Sequence, residues 1–330
     1  MSESDPDSQV NQAISQISST IAELELTPAI RTPQPTSSID QVPTELLSLI
    51  FDFACSNNLL QEYPWISHYK APTKLSSPVI TYLPALVISA VCTRWRCIAL
   101  ALPGLWARLR LEISEKPVTS DVFMAILQLY LDHSAHAPLF LDLFIGLTDN
   151  GKDDHNPPAL DLLLEHTRRW KSLQYITDRK ISKTMLSLPI LEVLAIECPW
   201  GDAVAEDGLD CFQVAPKLHT LTMREEYNPG RYIGYEDLFL SQLHRHQLTS
   251  LNAALAYDEL AILQDLSNLT TLELCVYHYY ERNQPQTLLC RLKSFTLIVD
   301  LFYWPRDSES LHHILIMFTL PSLNELIICD

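Results

Sequence analysis

Eleven histidines and eight cysteines are the residue types here that could ligate a metal or supply a nucleophile. The closest histidines, His244 with His246 and His312 with His313, lack a Cys or His partner at the separations a zinc site uses. Histidines at or near the surface are expected instead, with no metal and no cofactor. Cys92 could attack a substrate if a distant histidine took its proton, but it lies in an apolar, helix-like segment. The acid pairs Asp153/Asp154 and Glu225/Glu226 sit in loop-like stretches and are expected to be solvated. The chain contains no Gly-x-Ser-x-Gly, no phosphate-cradling Gly-x-x-x-x-Gly-Lys and no Gly-x-Gly-x-x-Gly. No catalytic residue is assigned, and the expectation is a binding protein.

The charge balance narrows what it binds. A net charge of −17 repels nucleic acid unless a local basic patch overrides it. The basic clusters, Arg94/Arg96 and Arg168/Arg169/Lys171, are short and set in apolar surroundings. Apolar residues make up 47% of the 330, enough for a sizeable core and two or three domains. No Cys-x-x-Cys pair occurs, which suits a reducing compartment, cytoplasmic or nuclear. The acidic N-terminus does not have the form of a signal peptide. The most apolar window, 79–106, is broken by Arg94, Arg96 and prolines, so no membrane span is expected.

The elements that would position a binding surface begin after a tail. Residues 1–9 are polar. Val10, Ile14, Ile17, Ile21 and Leu24 then follow helical spacing, and Pro28, Pro33 and Pro35 mark a linker up to residue 38. Pro43 and Glu45 suit a helix first turn, and Leu46, Leu47, Ile50, Phe51 and Ala54 continue it. Residues 56–77 read as a long loop carrying Tyr63, Trp65, His68 and Tyr69. A second helix is expected from Pro84 through Leu86, Val87, Val91, Arg94, Trp95 and Ile98, ended by Pro103-Gly104.

These two helices carry a resemblance. Pro43-x-Glu45-Leu46-Leu47-x-x-Ile50-Phe51, then Leu86, then Val91-Cys92-x-x-Trp95-Arg96-x-x-Ala99 and Pro103-x-Leu105-Trp106 resemble the F-box. F-box proteins are the substrate receptors of Skp–cullin–F-box ubiquitin ligases. The resemblance covers 39–106, about a fifth of the chain. It departs from the family in the forty residues from Phe51 to Val91, about twice the usual separation, with an insertion at 56–80. It implies docking to a Skp-type adaptor, and through that to a cullin scaffold, by Pro43, Leu46, Leu47, Ile50, Phe51, Val91, Cys92, Trp95, Leu105 and Trp106. At Cys92, the Val-Cys place of the pattern, it also implies a small buried residue rather than a nucleophile.

Behind this module one pattern recurs: Leu, two residues, an apolar residue, one residue, an apolar residue. It starts at Leu173 (incomplete), Leu191, Leu218, Leu248, Leu269, Leu292 and Leu323. The intervals straddle the 20–29 residues of leucine-rich repeats. The alternation suits strands buried on one face. Segments 235–246, 257–266 and 308–318 read as intervening helices. Earlier, 106–111 and 139–143 read as strands, with 121–133 and 158–169 as helices. The Asn or Cys expected after each repeat strand is absent; Pro199, Glu226, Ala256, Tyr277 and Asp300 stand there, so the repeats should be irregular. The chain stops directly after a strand pattern, so that strand is either an exposed edge or the mark of a truncated chain.

The expectation is therefore α/β: a tail over 1–38, a small helical F-box-like module over 39–106, and an irregular leucine-rich-repeat horseshoe with a curved parallel sheet over 107–330. A target protein would meet side chains alternating with the leucines: Glu197, Thr222, Arg224, Asn252, Glu273, Cys275 and Thr296. The alternatives are a leucine-rich scaffold whose F-box-like segment only caps the first repeat, and a hydrolase on an irregular α/β fold.

Overall fold

In the parallel sheet, a leucine column runs across consecutive strands. The computed structural model describes residues 38–61, 83–113, 121–145, 156–176, 186–198, 212, 214–225, 245–277, 287–299, 312 and 314–329. It divides into two compact units, Met1–Pro43 and Thr44–Asp330. The helix expected at 10–24, the proline linker and the aromatics at 63–69 lie outside the described residues. In the first unit the described element is a 3-10 turn at Ser38–Gln41.

The second unit is α/β. Its elements are α1 (Thr44–Ala54), β1 (Asn58–Gln61), α2 (Pro84–Val91), α3 (Thr93–Leu100), β2 (Arg108–Ile113), α4 (Asp121–His133), β3 (Leu139–Ile145) and α5 (Pro158–Leu164). Strands β4 (Trp170–Ile176), β5 (Val193–Cys198), β6 (Thr220–Glu225), β7 (Ser250–Ala256), β8 (Thr271–Tyr277), β9 (Thr287–Leu288), β10 (Ser294–Val299), β11 (Phe318–Thr319) and β12 (Glu325–Cys329) follow. Ten strands form one sheet in the order β1-β2-β3-β4-β5-β6-β7-β8-β10-β12, while β9 and β11 pair separately. Every pairing is parallel. Each large-sheet strand thus lies beside its predecessor in that sheet.

The recurring leucine motif accounts for the register. Its first leucine stands two residues before the strand at Leu191, Leu218, Leu248, Leu269, Leu292 and Leu323 and is buried in the first five, whereas Leu173, expected as a first leucine, lies inside β4 in the second leucine's column. Its second enters a cross-strand column: Leu109, Leu141, Leu173, Leu194, Leu221, Leu251, Leu272, Phe295 and Leu326 stand side by side. A parallel column runs from Leu60 and Leu111 to Leu297 and Ile328. Fully burying one such side chain contributes about 1.5–3 kcal/mol, so these columns are the main cohesive term. Strand β12 is the exception: among the described strands it pairs with β10 alone, and Leu326 is 45% exposed.

Three local findings differ from the sequence reading. The segment taken as a loop from residue 56 contains β1, which pairs with β2 at the sheet's first edge. The helix expected to run on from Pro84 breaks at Cys92, whose backbone is extended and whose Sγ accepts from the Trp95 N–H at 3.5 Å. Cys92 is the N-cap of α3. The segment 257–266 is a 3-10 helix, Tyr257–Asp265. Leu260, Leu263 and Leu266 are buried at three-residue intervals, the period of a 3-10 turn.

Asn58 explains how α1–α3 are joined to the sheet. It heads the leucine column opposite Leu109 and is fully buried. Its Nδ2 donates to the Leu105 carbonyl at 2.8 Å and the Arg108 carbonyl at 3.0 Å. Its Oδ1 accepts from the Ala85 N–H and the Tyr130 hydroxyl, both at 3.3 Å. One side chain therefore links the start of α2, the turn before β2, β2 itself and α4. Trp106 reinforces the joint: its Nε1–H donates to the Ala99 carbonyl at 2.9 Å, and its ring packs on Tyr130 and His133.

Candidate functional site

Helix α1 is apolar on two sides. Leu47 and Phe51 point inward and are 1% exposed, with Phe51 against Trp95 at a ring separation of 4.9 Å. On the outer side stand Leu46, Leu49, Ile50 and Phe53, which are 51%, 67%, 55% and 86% exposed. Spacings of three, four and seven place these four on one helical stripe. On α2, which packs against α1, Val87 and Val91 are exposed one turn apart. An ordinary surface helix turns charged or polar residues to solvent, so an apolar stripe facing water is a candidate contact surface.

The ten residues expected to dock an adaptor therefore separate. Leu46, Ile50, Val91 and Cys92 are exposed, Pro43 is exposed in the first unit, and Trp95 is half-buried. Leu47, Phe51, Leu105 and Trp106 are buried and serve the interior, because they hold the helices against one another and against the sheet. Leu49, Phe53 and Val87, which are not among the ten, are exposed as well. Their signal was available: Leu46, Leu49, Ile50 and Phe53 form a complete helical stripe beside the inward one.

The second surface is the sheet face opposite the leucine columns. Thr222, Asn252, Glu273 and Thr296 are immediate neighbours in one row on β6, β7, β8 and β10, all half-buried. Beside them Thr220, Ser250, Thr271 and Ser294 form a second row. Cys275 lies in a third row with Ile298, and Glu197 stands in register with Arg224. The register thus gathers all seven expected residues on one face. The Arg224 side chain lies outside the described residues.

Charge on this face is uneven. At the β2–β3 end the Arg110 guanidinium lies 3.4 Å from Glu112 and 3.6 Å from Asp142. Burial pushes the Asp142 carboxyl above its usual range, and Arg110 opposes that shift. Arg108 is tied to Asp52 at the end of α1 by a 2.8 Å ion pair. From β5 to β12 the register places Glu197, Glu273 and Glu325 on this face, with Arg224 beside Glu197.

Of the residues weighed for chemistry, Cys92, His246 and His312 are described. Cys92, expected to be small and buried, is exposed as the cap of α3. Cys55 is buried, and desolvation pushes its thiol up to about 11, away from thiolate reactivity. His246 meets Ser267 at 3.3 Å. His312 is exposed. His244, His313, Asp153, Asp154 and Glu226 lie outside the described residues, as does the Glu225 side chain. Among the described residues no group of three or more His, Cys, Asp or Glu is placed to hold a metal ion. No described helix is long and apolar enough to cross a membrane. Comparison of the chain with protein-family models, curated proteins and solved structures finds no match.

Proposed function

We propose that this protein is a substrate receptor of the Skp–cullin–F-box type, with an F-box-like helical module followed by an irregular leucine-rich-repeat horseshoe. Its outer α1 stripe docks a Skp-type adaptor, and its open sheet face holds a protein target for ubiquitination. The observation that carries the reading is the stripe Leu46, Leu49, Ile50 and Phe53, held outward by a helix whose other side is already buried. The order of three short helices with the F-box residue pattern, followed by a sheet in which strands follow one another in parallel, supports the same reading. Catalysis belongs to other subunits, and this chain supplies proximity by raising the target's effective concentration.

A second reading has one observation in its favour. Strand β1 and Asn58 close the first edge of the sheet, which is what a capping segment on a leucine-rich scaffold does. Co-purification with a Skp-type adaptor separates the two. The receptor reading expects the wild type to capture the adaptor and a Leu46→Asp, Ile50→Asp variant to lose it while remaining folded. Equal capture by both, or none by the wild type, leaves the scaffold.

A further inference from the structure

From the face opposite the leucine columns we infer the chemistry of the partner: an extended segment carrying Lys or Arg, laid across strands β6 to β10 with a cationic side chain on Glu273. The inference rests on that face being the target-binding surface. Glu273 is the one carboxylate in its row of four, with Asn252 on one side and Thr296 on the other. Glu325 lies further out on the same face and accepts from the Ser294 hydroxyl; Glu197 stands in register with Arg224, whereas no Lys or Arg stands in register with Glu273 on β7 or β10. Of the arginines that face this side, Arg108 and Arg110 are already held by Asp52, Glu112 and Asp142 at the far end. The charge at Glu273 therefore has the same sign as the net charge of −17, and both draw a cationic partner.

The shape of the partner follows from the side chains. The sheet's own backbone groups are engaged between strands, so recognition falls to what projects from them. Hydroxyl and amide groups recur at strand spacing, about 4.8 Å, and the row from Thr222 to Thr296 spans about 14 Å. An extended chain advancing about 3.3 Å per residue covers that distance with about four residues. Its main-chain N–H and C=O groups then meet donors and acceptors on both rows.

The test uses the full chain and a fluorescently labelled short peptide of alternating Lys and Ser, with a Glu/Ser peptide of equal length as its counterpart. Anisotropy is expected to report binding of the Lys peptide, weakened by added salt, and none of the Glu peptide. Glu273→Lys should weaken binding by about tenfold or more. Glu165→Lys makes the same change in net charge from an exposed position after α5, away from the sheet face, and should leave binding unchanged. Equal weakening by the two variants assigns the attraction to net charge and overturns the inference. So does failure of the Lys peptide to bind, or equal binding of the Glu peptide. Adaptor capture on the same preparations keeps the two proposals apart: intact capture without peptide binding rejects only this one, and absent capture rejects the receptor reading.

Discussion

Replacing Asn58 by alanine removes four hydrogen bonds from a fully buried site. At a net contribution of about 1 kcal/mol each, the loss is about 4 kcal/mol. Folded domains are commonly stable by about 5–15 kcal/mol, so one side chain accounts for a large part of the margin. Asn58→Asp separates the donors from the acceptor. It keeps an oxygen toward the Ala85 N–H and the Tyr130 hydroxyl, but it sets a carboxylate oxygen against the Leu105 and Arg108 carbonyls. At neutral pH it should be at least as unstable as Asn58→Ala. The repulsion raises the folded-state pKa of the new carboxyl. Its stability contribution is then fully present below the unfolded pKa and lost as pH rises through the folded value. Asn58→Asp therefore gains on Asn58→Ala as the solution is acidified. Urea unfolding followed by tryptophan fluorescence, with Trp106 beside the site, measures both variants against wild type. A loss under about 1 kcal/mol for Asn58→Ala, or an aspartate variant matching wild type at neutral pH, refutes the role given to this residue.

Position along the leucine columns sets the cost of truncation. Leu221→Ala and Leu272→Ala, both fully buried, should each cost about 2–5 kcal/mol in urea unfolding. Leu326→Ala, at a side chain 45% exposed, should cost under about 1 kcal/mol. Iodoacetamide below pH 9.0 should modify the exposed thiols Cys92, Cys97, Cys290 and Cys329 in the native protein and spare Cys55 until urea is added, as read by peptide mass spectrometry. Because burial raises the Cys55 thiol from 9.0 to about 11, its contribution to stability is complete below 9.0 and fades as pH climbs through 11. Cys55→Ala should flatten the alkaline fall in melting temperature. Arg108→Ala breaks a largely solvent-facing ion pair with Asp52 and should change stability by no more than about 1 kcal/mol.

The strands could be read from sequence because one residue type performs one task at each of them. A leucine two residues ahead of the strand anchors the approach, and the next two apolar positions fill adjacent columns, so a pattern in the chain becomes a register in the sheet. Strand β1 escaped that reading: four residues, Asn58-Leu59-Leu60-Gln61, offer too short an alternation, and the residue that begins them is a buried amide. The break at Cys92 escaped because the apolar period runs through it, and cysteine is a weak signal for a helix cap. Strands β9 and β11 are two residues each, below any periodic signal. At the candidate site, the helix pattern pointed to α1 but did not separate its two sides. Leu47 and Phe51 face inward while Leu49 and Phe53 face water, a distinction made only by where α2, α3 and the 3-10 turn at Pro103–Leu105 pack. The open face was better placed, because strand alternation alone puts Thr222, Asn252, Glu273 and Thr296 opposite the leucines.

Phe53 bears most directly on the receptor reading. It is 86% exposed, so Phe53→Asp leaves the interior of the protein untouched. Isothermal titration of a purified Skp-type adaptor into wild type and Phe53→Asp, with melting temperatures recorded for both, reads the docking surface alone. The account predicts that wild type binds, that the variant binds at least about thirtyfold more weakly, as expected when a central aromatic contact is lost, and that the two melt together. Equal affinity of the two proteins, or no binding by wild type, contradicts it.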